Sequence, residues 1–288
     1  MSPERPTLPP LPDGLTEHKY ETAEGTLNYA VGENNGPPIL LIHVLGGMLH
    51  EFLSVYEQLK DRWQVTLVDL RGHGKSSWTK SVYDFNSYHD DIIGLIRDVI
   101  GDPAVVWGHS LGAITTMNLA VSAPELVAAA ILEDPPMMIS GDASHSPFIA
   151  SFKVTQDLMR ANSSDEEVLA AMQKVLPNFQ ERHLERYLLR IRTNDPEIYT
   201  VALSGRQNET WDPEYILRAI KVPTLLMQAD PSLGAAVLDD HAARAMELLP
   251  NAQHIKYEGI GHSIHAALPG KTVGDVEAFL TEMGVRTK

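Results

Sequence analysis

The chain has 288 residues, a formal net charge of −15 and no cysteine. The length suits one large α/β domain with room for an insertion. The charge disfavours nucleic acid and anionic membranes as partners and repels anionic ligands at long range. Without cysteine there is no disulfide framework, thiolate nucleophile or thiolate metal site.

Residues 1–14 are polar and proline-rich and are expected to form a flexible arm. They carry no basic segment followed by an apolar core, and no later run has the length of a membrane span. A cytoplasmic protein is expected. Glu17–Thr22 and Leu27–Gly32 predict two strands about the Glu24-Gly25 turn. Pro38–His43 is a continuous apolar run, as in a strand buried on both faces. A helix over Glu51–Lys60, a strand over Val65–Leu70 and a helix over Asn86–Ile100 follow, the last ending at Gly101.

Ala104–Trp107 predicts the next buried strand, and Leu111–Val121 a helix. Between them stands Gly108-His109-Ser110-Leu111-Gly112. A bare G-x-S-x-G arises by chance in on the order of one chain in ten, given ordinary glycine and serine usage. Strand and helix on either side turn it into a nucleophile elbow: the serine is exposed on a sharp turn, and glycines avoid collisions of strand with helix. After a strand over Ala128–Leu132, residues 137–221 give helix signals and no strand. Ser163–Glu166 and Asp195–Glu197 look like helix starts. A strand at Val222–Ala229, a helix at Asp239–Leu249, a strand at Gln253–Tyr257 and a helix at Lys271–Met283 complete the chain. Such alternation, interrupted once, predicts an open, mainly parallel α/β sheet flanked by helices, with a helical cap inserted after strand six. The expected division is a core of residues 15–136 and 222–288 with a cap of residues 137–221.

Four motifs in this order resemble the α/β-hydrolase superfamily: His43–Gly47, Asp69–Ser76, the elbow, and Gly261-His262. The resemblance runs from about Tyr20 to the C-terminus. It implies Ser110 as nucleophile and His262 as base, with His265 a nearby competitor. It also implies an oxyanion hole from the N–H groups of Leu45 and Leu111. The family pattern at the first motif is His-Gly-x-x-Gly, and here Val44 replaces the glycine, so this loop is expected to run differently. For the acid, Asp134 lies 24 residues beyond Ser110, resembling families that carry it after strand six. Asp230, after strand seven, and Glu133 are the alternatives.

Arg71–Ser76 ends like a phosphate loop, but Asp69 stands where such a loop needs glycine. No His-Glu-x-x-His occurs, so no metal is expected, nor any cofactor. The expected reaction is hydrolysis of an apolar carboxylic ester or lactone through an acyl-enzyme, with weak similarity to the zearalenone lactone hydrolases. Carbon–carbon bond hydrolysis or perhydrolysis with the same triad, and a non-catalytic receptor, are the alternatives. Aspartate chemistry of the haloalkane dehalogenase or epoxide hydrolase kind is disfavoured by Ser110. Val44, His109, Met137, Met138 and Trp211 are the candidate substrate contacts.

Overall fold

The apolar runs become the middle of a single sheet. The computed structural model describes residues 5–80, 83–138, 147–176, 179, 181–204 and 211–285. Strands β1 (Thr16–Thr22), β2 (Gly25–Val31), β3 (Pro38–Ile42), β4 (Gln64–Asp69), β5 (Ala104–His109), β6 (Val127–Glu133), β7 (Thr224–Gln228) and β8 (Ala252–Lys256) pair in the order β1-β2-β4-β3-β5-β6-β7-β8. Only the β1–β2 and β2–β4 pairs are antiparallel.

The helices that follow β3, β4 and β5 are α1 (Leu53–Leu59), α2 (Phe85–Leu95) and α3 (Leu111–Ser122). Between β6 and β7 lie α4 (Pro147–Arg160), α5 (Asp165–Val175), α6 (Glu181–Thr193), α7 (Thr200–Ser204) and α8 (Pro213–Ala219), with no strand among the described residues there. The chain closes with α9 (Asp239–Leu248), α10 (Ile264–Ala267) and α11 (Pro269–Glu282).

Alternation along the strands builds two cores. Leu40, Ile42 and Val106 face a core completed by α2, α3, α8 and α9. Ile39, Leu41, Val105 and Trp107 face the other, closed by α1 and α11 through Val55, Leu59, Val276 and Phe279. A third, smaller cluster belongs to the insert alone and joins Leu158, Val168, Met172 and Ile191. Two expectations are refined. The helix foreseen to Ile100 ends at Leu95 and continues as one wide π turn, Ile96–Ile100, before Gly101 at φ 79°. The expected flexible arm is docked over residues 5–14: Arg5 donates to the carbonyls of Gly74 and Ser76 and covers the Trp78 ring, and Leu8 is buried.

The strand order reverses between β3 and β5, because the chain goes from β3 to β4 on one side and then to β5 on the other. At such a switch point the loops leaving the carboxyl ends diverge and open a crevice. Those loops begin at His43 and at His109. The turn into α3 is held by close backbone approach. A Cβ on Gly112 would stand 2.2 Å from the Ile42 carbonyl oxygen, and one on Gly108 would stand 2.1 Å from Gly112.

Two buried histidines wire the base of the crevice. His43 Nδ1 lies 2.8 Å from the Val44 carbonyl and Nε2 lies 3.0 Å from the Leu70 N–H. His73 Nδ1 lies 2.9 Å from the Arg71 carbonyl and Nε2 lies 3.0 Å from the Gly46 N–H. Carbonyls only accept and amides only donate, so each ring carries its proton on Nδ1 and is neutral. Burial holds both below the ordinary histidine value, His73 at about 4 and His43 well below 6.5 with His73 contributing.

Two outcomes are expected. Gly112→Ala should lower stability by at least about 2 kcal/mol, because backbone would have to move. Gly274→Ala, on an exposed helical site with nothing within 4 Å, should leave stability equal or up to about 1 kcal/mol higher. Thermal melting of the two variants checks this. Below pH of about 6.5 the unfolded chain binds protons that native His43 and His73 refuse. Stability should therefore fall as pH drops from 7 to 5, by up to about 1.4 kcal/mol per pH unit for each histidine. Urea unfolding at pH 7, 6 and 5 measures it; a flat profile contradicts it.

Candidate active site

Ser110 leaves β5 at φ 53° and ψ −107°, outside the ordinary regions for a residue with a side chain. Its N–H donates to the Glu133 carbonyl at 2.8 Å, and its own carbonyl accepts from Ile114 N–H at 3.0 Å. Strand pairing on one side and the first helical bond on the other hold the turn. Strained backbone of this kind persists where the surroundings over-determine it.

Ser110 lines a cavity of about 290 Å³ at the switch point, together with His262, Leu45 and Leu111. Its other walls are mainly apolar and include Phe85, Ile114, Phe148, Ile149 and Phe152. Leu111 is the first residue of α3, so its N–H has no intrahelical acceptor.

β6 delivers two adjacent carboxylates, both fully buried, and the structure sends them to different histidines. Asp134, at φ 42°, lies 2.6 Å from His262 Nδ1. Its oxygens also accept the N–H groups of Ala229, Ala236 and Val237, from the segment after β7. That segment is where most of the superfamily carries the acid; here it supplies donors to a carboxylate from β6 instead. Glu133 accepts from Trp107 Nε1 at 2.9 Å and from the backbone N–H of His265, and lies 2.8 Å from His265 Nδ1. Burial opposes charge on His265, yet the charge and hydrogen bond of Glu133 prevail and hold its pKa above the ordinary value.

The alternatives for the acid therefore separate on geometry. Glu133 is engaged by His265. Asp230 turns its carboxylate to Ser232 and to the Gly259 N–H, where it caps a turn. The Gly259 bond, then those from Ser232, keep it below the ordinary carboxylate value. His265 is 1% exposed and stacked on Phe52 at 4.2 Å, whereas His262 borders the cavity.

His109 stands between the two pairs. Its Nε2 meets the His262 carbonyl at 2.9 Å, and its ring lies 4.6 Å from that of His262 and 5.2 Å from that of His265. Burial, then the two neighbouring histidines, push its pKa well below 6.5. Ligand atoms of His109, Glu133 and His265 lie within 4.8 Å of one another, close enough to hold a cation. Both Glu133 oxygens already accept from Trp107 or His265, whereas the buried His109 Nδ1 and His265 Nε2 have no hydrogen-bond partner among the described residues.

Of the expected substrate contacts, Val44 and His109 line the cavity. Met137, Met138 and Trp211 do not. The Trp211 indole donates to the Met137 carbonyl at 2.9 Å and packs edge-on against Phe85, and Met137 and Trp211 belong to the main core. Sequence reasoning did not single out Phe148 and Phe152 from the insert's other aromatics. Their i, i+4 spacing on α4 was the available signal. Arg190, the one Lys or Arg in the lining among the described residues, carried no signal at all.

The comparisons agree with this architecture. A family model described as the alpha/beta hydrolase fold matches residues 37–266. A putative esterase/lipase from Haemophilus influenzae is 23% identical, over 92% of each chain. The 2-(acetamidomethylene)succinate hydrolase of Mesorhizobium japonicum is 26% identical, over 93% of this chain and 96% of that one. The crystal structure of the enol-lactonase from Burkholderia xenovorans LB400 superposes with a TM-score of 0.72 at 23% identity, covering 92% of this chain and all of the other (100%). With four-fifths of its length matched by the family model, the chain belongs to the α/β hydrolase fold family.

Proposed function

We propose that the protein is a cofactor-independent serine hydrolase that cleaves a carboxylic ester or lactone with an apolar body. The observation that carries this reading is the 2.6 Å contact of the buried Asp134 with His262 Nδ1, where His262 borders the same cavity as the elbow serine. A carboxylate on Nδ1 holds the imidazole in the tautomer whose Nε2 is free to accept a proton. Ser110 Oγ attacks the carbonyl carbon as Nε2 of His262 takes its proton. The negative oxygen of the tetrahedral intermediate is met by the Leu45 and Leu111 N–H groups. Collapse expels the alcohol, protonated by His262, and leaves the acyl group on Ser110. Water, deprotonated by the same nitrogen, then releases the acid.

The insert, residues 137–221, acts in this reading as a cap. It lends Phe148, Ile149, Phe152, Arg190 and Ala202 to the cavity. Its guanidinium does not make the cavity an anion site, because Arg190 Nε donates to the Gly46 carbonyl at 2.7 Å and its Nη1 lies 3.4 Å from Glu51. The apolar walls and the net charge of −15 favour a neutral substrate. The relatives named as a putative esterase/lipase and as a 2-(acetamidomethylene)succinate hydrolase support hydrolysis.

Ser110→Ala should abolish turnover of a p-nitrophenyl ester while melting like the parent, and a fluorophosphonate should label Ser110 in the parent. Labelling elsewhere would move the nucleophile. Asp134→Asn should lower kcat by about 10³–10⁴ through loss of the correct tautomer. Asp230→Asn should stay within about tenfold of the parent. The reverse ranking, on variants shown intact by circular dichroism, would return the acid to the position after β7. Neutral esters and lactones should exceed dicarboxylate monoesters in kcat/KM. Equal or better turnover of the anionic series would overturn the substrate assignment.

A further inference from the structure

Between Val44 and Leu49 the chain crosses the mouth of the crevice as a loop, and most of its backbone polar groups have identifiable partners. The Val44 carbonyl accepts from His43 Nδ1 and from the Gly47 N–H at 2.8 Å each. Gly46 N–H donates to His73, and Leu49 N–H donates to Asp69 at 2.7 Å. The Met48 carbonyl accepts the Glu51 N–H at 3.0 Å, and the Gly46 and Gly47 carbonyls are held from the insert. Arg190, on α6, donates Nε to the Gly46 carbonyl at 2.7 Å. Asn194, just beyond α6, donates Nδ2 to the Gly47 carbonyl at 3.3 Å while its Oδ1 accepts the Gly74 N–H at 2.8 Å. A third insert residue, Tyr199, packs so tightly on Gly46 that a Cβ there would stand 2.2 Å from its hydroxyl. Among the described residues the Leu45 N–H donates to none, and Leu45 lines the cavity.

We propose that Arg190 and Asn194 are positioning residues: the insert pins the Gly46 and Gly47 carbonyls and thereby fixes the neighbouring Leu45 N–H as the oxyanion donor. Val44 gives this a physical reason. The superfamily's glycine at that place leaves the loop free to settle against the crevice, whereas a β-branched residue restricts it. Apart from the turn bond of Gly47 N–H to the Val44 carbonyl, the loop here is held by bonds from outside itself. Arg190 is matched by the Gly46 carbonyl and by Glu51, which is 8% exposed, so its charge is directed at the loop. Asn194 is 1% exposed and is not among the cavity's lining residues, so it acts through the loop alone.

The inference rests on the serine hydrolase reading, and the two are separable by experiment. Arg190→Met and Asn194→Asp each remove a donor to a loop carbonyl; Asn194→Asp keeps the acceptor for Gly74. Arg190→Lys retains a donor. With p-nitrophenyl butyrate, Arg190→Met and Asn194→Asp should lower kcat by ten- to a thousandfold, up to the range of about 10²–10³ for losing an oxyanion donor. KM should change less than about threefold, as for an interaction made only in the transition state. The inhibition constant of phenylboronic acid, which forms a tetrahedral adduct on the serine, should rise in parallel, and Arg190→Lys should recover part of both. Melting curves establish that the compared variants are folded. A raised KM at unchanged kcat would make Arg190 a substrate contact and overturn the proposal. Parent-like kcat in Asn194→Asp, or failure of Arg190→Lys to recover any activity at parent-like stability, would overturn it too. A parent enzyme that neither turns over the ester nor reacts with a fluorophosphonate would instead remove the underlying reading.

Discussion

The site depends on one close approach. Gly112 lies with its Cα against the Ile42 carbonyl, and Gly108 lies against Gly112, at separations that admit no Cβ. The packing of β5 and α3 onto β3 is therefore backbone on backbone. That closeness forces the sharp turn and with it the positive φ of Ser110. It also sets Leu111 at the head of α3, where the peptide dipoles and unpaired N–H groups favour negative charge. The strain at one residue is met by the pairing of Ser110 N–H with Glu133 and by the two apolar cores that clamp the sheet from either face.

Much of this was legible because it rests on periodicity and on glycine. The buried runs around Ile39–Ile42 and Ala104–Trp107 could only be strands between two helical layers, and the Gly-x-Ser-x-Gly between strand and helix fixed the crevice. Pairing was not legible. Asp134 and Asp230 both end central strands, and which of them reaches His262 depends on the path of the segment after β7. That path turns the N–H groups of Ala229, Ala236 and Val237 toward Asp134. The cavity's lining was legible in composition only. Trp211 and Met137 satisfy each other in the core, and a tryptophan needing a hydrogen-bond acceptor gives no sign in the sequence of where that acceptor lies. Asn194 and Arg190 were invisible for a related reason: their partners are backbone carbonyls 147 and 144 residues away.

The insert has two attachments of different kind. Its α6 end is tied by polar bonds: Asp195 N–H to the Gly72 carbonyl, Tyr83 to the Asp195 carboxylate at 2.7 Å, and Trp78 Nε1 to the Thr193 carbonyl. Ile198 and Tyr199 then enter the main core. The helices farther out are joined to each other by their own apolar cluster. Polar support is thus concentrated around Thr193–Tyr199, and α4, which carries the aromatic wall, is tied to the same segment through Gln156 to the Pro196 carbonyl and Arg160 to Glu197.

The end of β6 encodes its two carboxylates by parity. Odd positions 129 and 131 face one core and even positions 130 and 132 the other, so Glu133 and Asp134 leave in opposite directions. Gain of a single residue within β6 would slide every later side chain to the opposite face. Glutamate would then be delivered toward His262, and the buried imidazole of His265 would be left without its counter-charge. A frame error of one residue would therefore reach both histidines at once, although neither lies in the strand that slipped.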